Sequence, residues 1–237
     1  MNLRKINRGI ALGCVVAVAT TGYVVLDRKQ FSKNTDAITA VVESYLNDTA
    51  ATRCSAQDQK QLCLNYKNTI EKHWADNTWS GNNIFDDTAT KEELLSELDT
   101  NNADYKTQGY FTKYEIKIND VKVSKYGSGA LANVTYNVVD EFYGAPLDMI
   151  TCGFEPVDNE NTDANNNPIT DPTIQYHQTS ALDFNLYLEK VDDDWKIVGL
   201  SSNSYEYNTK RISEDASSKE DSSSADDPAQ KGGADSE

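Results

Sequence analysis

Residues that carry chemistry are scarce in this chain. Histidine occurs only twice in 237 residues, at His73 and His177, and neither stands at a spacing that pairs it with a base or a nucleophile. The four cysteines include no Cys-x-x-Cys, which excludes a zinc knuckle and a thioredoxin-like redox site. There is no glycine-rich phosphate loop, no Gly-x-Ser-x-Gly elbow and no His-Glu-x-x-His helix. Positive charge is also short, with 22 Lys and Arg against 38 Asp and Glu, a net charge of −16. Phosphates would be repelled rather than neutralised, so no nucleic-acid partner is expected. Residues 31–208 hold 13 basic and 29 acidic side chains, so the acidity belongs to the folded part and favours a solvated surface. A hydrophobic fraction of 38% supports one modest core. No cofactor or metal is expected.

Long apolar runs are absent with one exception. After Arg4, Lys5 and Arg8, the stretch "IALGCVVAVATTGYVVL" is uncharged from Ile10 to Leu26. As a helix its 17 residues reach about 26 Å, just enough for a bilayer core. An uncleaved signal anchor fits that length. A signal peptide cleaved after Ala19 and a lipoprotein site at Cys14 are the alternatives; the first leaves apolar residues beyond the cut, and the second has too short an apolar lead. Arg28 and Lys29 offset the positive N-terminal flank, so the long acidic segment decides the orientation. The reading is a single-pass cell-membrane protein with a cytoplasmic N-terminus and an extracytoplasmic C-terminal domain. In an oxidising compartment Cys54 and Cys63, nine positions apart, are candidates for a loop-closing disulfide, with two reduced thiols as the alternative.

The chain divides into a stub and span (1–30), a domain (31–208) and an acidic tail (209–237) whose composition reads as disordered. Within the domain, "TDAITAVVESYLNDTAA" places Ile38, Val41, Val42, Tyr45 and Leu46 on one helical face, with a cap at Thr35 or Asp36. A second helix recurs through Leu62, Tyr66, Ile70 and Trp74 (or Leu64). The turn-rich "DNTWSGNNIFDD" leaves room for a short extended piece, and Thr90 with Glu93 forms a capping-box pattern before a third helix.

From there the period becomes two. Tyr114, Ile116 and Ile118 alternate with polar neighbours, and Val121 and Val123 resume after a slip that implies a bulge. Ala132, Val134, Tyr136 and Val138 alternate next, and then Leu182, Phe184, Leu186 and Leu188. A polar insertion, 145–176, separates these two strands. Asp192-Asp193-Asp194 reads as the hydrated tip of a hairpin rather than a metal site, because consecutive carboxylates on a turn splay apart. The expected fold class is α+β: an N-terminal transmembrane helix, then about three helices packed on a curved antiparallel sheet.

Helix, helix, short extended piece, helix and four long strands, closed by "DDDWKIVGL", resembles the nuclear transport factor 2-like superfamily, a cystatin-like cone, over about residues 35–203. With the anchor, the resemblance is to membrane-tethered exported members, which mostly act by binding and assembly. It implies a non-catalytic module with a protein partner in the cell envelope. Other members are isomerases and cyclases that work through a carboxylate or histidine in the cone's pocket. For that alternative Tyr136, Asp140 and His177 are the candidate pocket or contact residues, although a strand end facing solvent is the favoured account of Asp140 and Glu141. Asp158, Glu160, Asp163 and Asp171 in the insertion read as a solvated loop rather than a calcium site, since the EF-hand glycine and glutamate are missing.

Overall fold

The computed structural model describes residues 31–76, 88–104, 109–150, 153–157 and 171–212. Three helices come first: α1 (Thr35–Arg53), α2 (Gln59–His73) and α3 (Lys91–Asp104). Six strands follow: β1 (Gly109–Tyr126), β2 (Gly129–Gly144), β3 (Leu147–Ile150), β4 (Gly153–Pro156), β5 (Gln175–Val191) and β6 (Asp194–Arg211). Strands β1, β2, β5 and β6 form one antiparallel sheet in that order, and β3 and β4 form a separate two-stranded hairpin. The α+β expectation of three helices on an antiparallel sheet holds.

Two of the three helices start where a side chain offers the exposed backbone N–H groups a partner. The Asp58 carboxylate accepts from the Gln61 backbone N–H at 3.1 Å. At α3 the box is reciprocal: the Thr90 N–H donates to Glu93 Oε2 at 2.8 Å, and the Glu93 N–H donates to Thr90 Oγ1 at 3.4 Å. α1 differs from expectation. Its cap residue is Asn34, which makes no side-chain capping bond, and Asp36 instead places a carboxylate in the first turn against the positive end of the helix.

The sheet owes its curvature to local slips in pairing. The expected bulge lies between Ile118 and Asp120, a second lies between Phe111 and Lys113, and β5 and β6 slip twice more. Each extra residue bends its strand and increases its twist, so strands of 16–18 residues curl into a trough. The trough's inner face presents Ala130, Ala132, Val134 and Val138 from β2 and Phe184, Leu186 and Leu188 from β5, all buried. Onto it pack Ile38, Val42, Tyr45 and Leu46 of α1 and Leu62, Tyr66 and Ile70 of α2. Burying each such side chain contributes about 1.5–3 kcal/mol before the entropy of ordering is subtracted. Leu64, the alternative second-helix face residue, is exposed. Trp74 and Ala89 form single bridges with Ile197 and Leu200 of β6, so the chain on either side of the turn-rich segment lies against that strand.

Three features differ from the sequence reading. β6 runs to Arg211, past the expected end at 208, because the first residues of β5 provide it a partner: Tyr176 pairs with Arg211, and buried Thr209 donates to Gln178 Oε1 at 2.6 Å. The insertion 145–176 is not wholly a solvated excursion. Ala145, Leu147, Phe154 and Val157 are buried, and Leu147 and Phe154 of the β3–β4 hairpin join the main core. The disulfide is not formed: Cys54 and Cys63 are free thiols, Cys54 exposed past the end of α1 and Cys63 turned into the core from α2. No helix among the described residues is long and apolar enough to cross a membrane, and the expected span 10–26 lies outside them, as does nearly all of the tail.

The aspartate run behaves as a turn. Val191 pairs with Asp194, and Asp192 and Asp193 occupy the left-handed region with φ of 50° and 72°, as a two-residue hairpin loop of the primed kind requires. Asn at 192 and Gly at 193 suit those angles better. The double substitution Asp192→Asn, Asp193→Gly is expected to raise the unfolding free energy by about 0.5–1 kcal/mol in urea denaturation.

Candidate functional site

The interior of the curved sheet is not purely apolar. Arg53, the last residue of α1, continues the buried face of Ile38, Val42, Tyr45, Leu46 and Thr49 and so points into the core. Opposite it, β3 contributes Asp148. Arg53 Nε donates to Asp148 Oδ1 at 2.6 Å, the Tyr66 hydroxyl donates to the same oxygen at 3.0 Å, and the Met149 backbone N–H donates to it at 2.7 Å. The guanidinium lies over the Tyr114 ring, 4.3 Å from its centroid, and 5.9 Å from that of Tyr66. Both charged groups are buried.

Burial alone works against both charges, and their pairing decides the outcome. Desolvation disfavours the Arg53 cation most strongly, yet Asp148 and the phenols of Tyr114, Tyr66 and Tyr136 together outweigh it and hold the guanidinium's pKa well above its ordinary value. Burial pushes the Asp148 carboxyl up, while Arg53, the Tyr66 hydroxyl and the Met149 N–H pull it back. Three donors on one carboxylate oxygen favour an ionised pair. The surrounding phenols are raised as well: burial pushes Tyr45 up to about 12 and Tyr66, Tyr114 and Tyr136 also upward, so all are neutral hydroxyls at physiological pH.

A second polar line starts from Tyr114, the ring beneath the guanidinium. Tyr114 pairs with Asp140, Asp140 with Gln178, and Gln178 with Thr209, so the row crosses all four strands on the inner face. Asp140 is 1% exposed, and its Oδ1 has no hydrogen-bond partner. Desolvation, then the charge of Asp148, pushes its carboxyl up to about 8, against the opposing pull of Arg53 and a hydrogen bond with Gln178. The favoured placement of Asp140 at a solvent-facing strand end is therefore corrected: the alternation that turns Val134, Tyr136 and Val138 inward carries Asp140 inward too.

The other candidate residues separate. Tyr136 lines a cavity together with Tyr45, Arg53, Tyr114, Met149 and Phe184. That cavity measures about 20 Å³, room for a single water. His177 is on the opposite, outer face, partly exposed and 3.9 Å from Glu141. It does not join Tyr136 and Asp140. His73 is buried against the Tyr45 ring, with Nε2 2.6 Å from Asp48 Oδ2. Of the insertion's acids, Asp158, Glu160 and Asp163 lie outside the described residues, and Asp171 bonds the Thr173 N–H and hydroxyl. Among the described residues no group of three or more acids, histidines or cysteines is placed to hold a metal ion.

Sequence reasoning missed Arg53, Asp148, Tyr66 and Tyr114 as a site. The available signal was Arg53 at helical spacing from Leu46 and Thr49, together with an aspartate inside the apolar run "PLDMI". No family model and no curated protein sequence matches this chain.

The pair's energetics are directly measurable. Asp148→Ala leaves a charged guanidinium buried without its partner and is expected to cost about 3–5 kcal/mol of unfolding free energy. The double variant Arg53→Met, Asp148→Leu removes both charges and is expected to recover most of that loss, measured by denaturant unfolding of the two variants.

Proposed function

We propose that this chain is a non-catalytic binding or assembly module of a cell-envelope complex, of the nuclear transport factor 2-like type, tethered through residues 10–26 with its folded domain outside the cytoplasmic membrane. Support for the fold type comes from the element order, with three helices, extended contacts at Trp74 and Ala89, and four long antiparallel strands ending in the Asp192–Asp193 hairpin. Support for the tether rests on the apolar run and its basic flank.

The observation that carries the non-catalytic reading is the filled interior. A small-molecule site is a cleft of roughly 300–1,000 Å³. Among the described residues, the cavity that α1, the four-stranded sheet and Met149 enclose measures about 20 Å³. The concave face is thereby used up in the fold, and contact falls to outer surfaces. One is a groove of about 470 Å³ along α2 and α3, bordered by Leu64, which is 50% exposed, and by Lys60, Lys67 and Asp99.

One observation favours the alternative, a small-ligand-binding or isomerase-type enzyme in the cone. Asp140 is an inward-facing carboxyl raised to about 8, in the range of a catalytic acid or base. It would need the hairpin to move before any substrate reached it.

Photo-crosslinking in living cells separates the readings, with probes at position 64, on the outer faces of β2 and β5, and within 145–176 of the full-length protein. The expected result is a discrete crosslinked envelope protein from at least one outer position. Crosslinks to lipid and itself alone would contradict the assembly reading.

A further inference from the structure

The four-stranded sheet has two edges, β1 and β6. An edge strand presents outward-facing backbone N–H and C=O groups, a ready template for another strand. The start of β6 is met by Trp74 and Ala89, whereas among the described residues no strand or single bridge meets the outer edge of β1. β1 is also a basic strand in an acidic chain, with Lys113, Lys117, Lys122 and Lys125 against Glu115 and Asp120. Lysine on an edge usually discourages pairing, because like charges then meet. Here a glutamate stands between two of the lysines, and in one register that reverses the outcome.

The two bulges of β1, between Phe111 and Lys113 and between Ile118 and Asp120, leave a regular run between them, 113–118. Its sequence is Lys-Tyr-Glu-Ile-Lys-Ile. Glu115 and Lys117 are exposed on the outer face. Tyr114, Ile116 and Ile118 turn to the concave face, where they are only partly covered, although Ile116 pairs with buried Val138. Glu115 lies 3.3 Å from Lys113 and its side chain is still 67% exposed, so it can accept a second cation. Lys117 makes no ion pair among the described residues.

A second copy of this run fits antiparallel to the first, with a two-fold axis at Ile116 and both concave faces on one side. Glu115 then stands opposite Lys117 of the second copy, and by symmetry Lys117 stands opposite its Glu115. On the concave face Ile116 meets Ile116, and Tyr114 meets Ile118. Moving the axis to Glu115 sets Glu115 against Glu115 and Lys113 against Lys117, and moving it to Lys117 sets Lys117 against Lys117. Like charges directly opposite destabilise a strand pair, so charge selects one register. An acidic peptide is a poorer match, since acids that satisfy Lys113 and Lys117 would also meet Glu115. We infer that a second copy of this chain pairs with the first along β1, through residues 113–119, and joins two four-stranded sheets into one of eight strands. The bulges turn the flanking stretches apart and keep the seam short.

A photo-crosslinking residue at Asn119 of the full-length protein tests the pairing, because that position lies opposite Lys113 of the second copy. The expected product has twice the mass of the chain, and its crosslinked peptide maps to the start of β1. Glu115→Lys and Lys117→Glu each set like charges across the seam and are expected to lower the yield by about fivefold or more. The double exchange Glu115→Lys, Lys117→Glu is expected to restore it. No doubled product, a yield indifferent to the single exchanges, a double exchange that stays low, or a crosslink to a different protein in its place would overturn the inference. If an exchange costs the amide protection of β2 and β5, the crosslink map of the unaltered protein decides. A crosslink at Lys113 supports the pairing, and one elsewhere overturns it.

Discussion

The hydrogen-bonded charge pair of Arg53 and Asp148 is the constraint on which the interior depends. It joins the end of α1 to the β3–β4 hairpin across 95 positions of sequence, at 2.6 Å. Without it, the short separate hairpin would be held by the Tyr45–Met149 hydrogen bond and a few apolar side chains. A buried ion pair is weak evidence for stability, since well-packed hydrophobic residues often do as well. Its use here is positional. Tyr66 and the Met149 N–H converge on the same carboxylate oxygen, and Tyr114 lies beneath the guanidinium, so the pair admits one placement of the hairpin and not its slipped neighbours.

That placement explains why the trough is closed. A curved sheet with three helices on its concave side leaves space near its centre, and proteins with this geometry can use such space for ligands. Here the hairpin and a ring of tyrosines fill it. The same closure creates the tension at Asp140, which is paired across strands with the Tyr114 beneath the guanidinium but has no cation to itself. Filling the interior and burying an extra acid are thus two consequences of one arrangement.

The parts of the fold legible in the sequence are those governed by period and caps. Alternation in β2 and β5, the slip at Ile118, the Thr90–Glu93 box and the aspartate turn all depend on residues close together in the chain. What could not be read depends on contacts between distant segments. Asp148 looked like part of a polar excursion because the composition of 145–176 is dominated by its asparagine-rich middle, which masks an apolar start. Arg53 gave no sign of burial because a charged residue after two alanines and a threonine is usually solvated, and only the partner 95 positions later turns it inward. The extension of β6 to Arg211 was hidden for the same reason: the strand's end is set by where β5 begins, not by its own hydropathy.

The most direct test of this account is the Arg53 side-chain Nε–H signal in the NMR spectrum of the folded domain. The structure predicts one arginine Nε–H that exchanges slowly with water, is shifted by a short charge-assisted bond, and disappears from its position in Asp148→Asn. An Arg53 signal that exchanges as freely as that of a solvated arginine, indifferent to that substitution, would contradict the buried pair and the closed interior built on it.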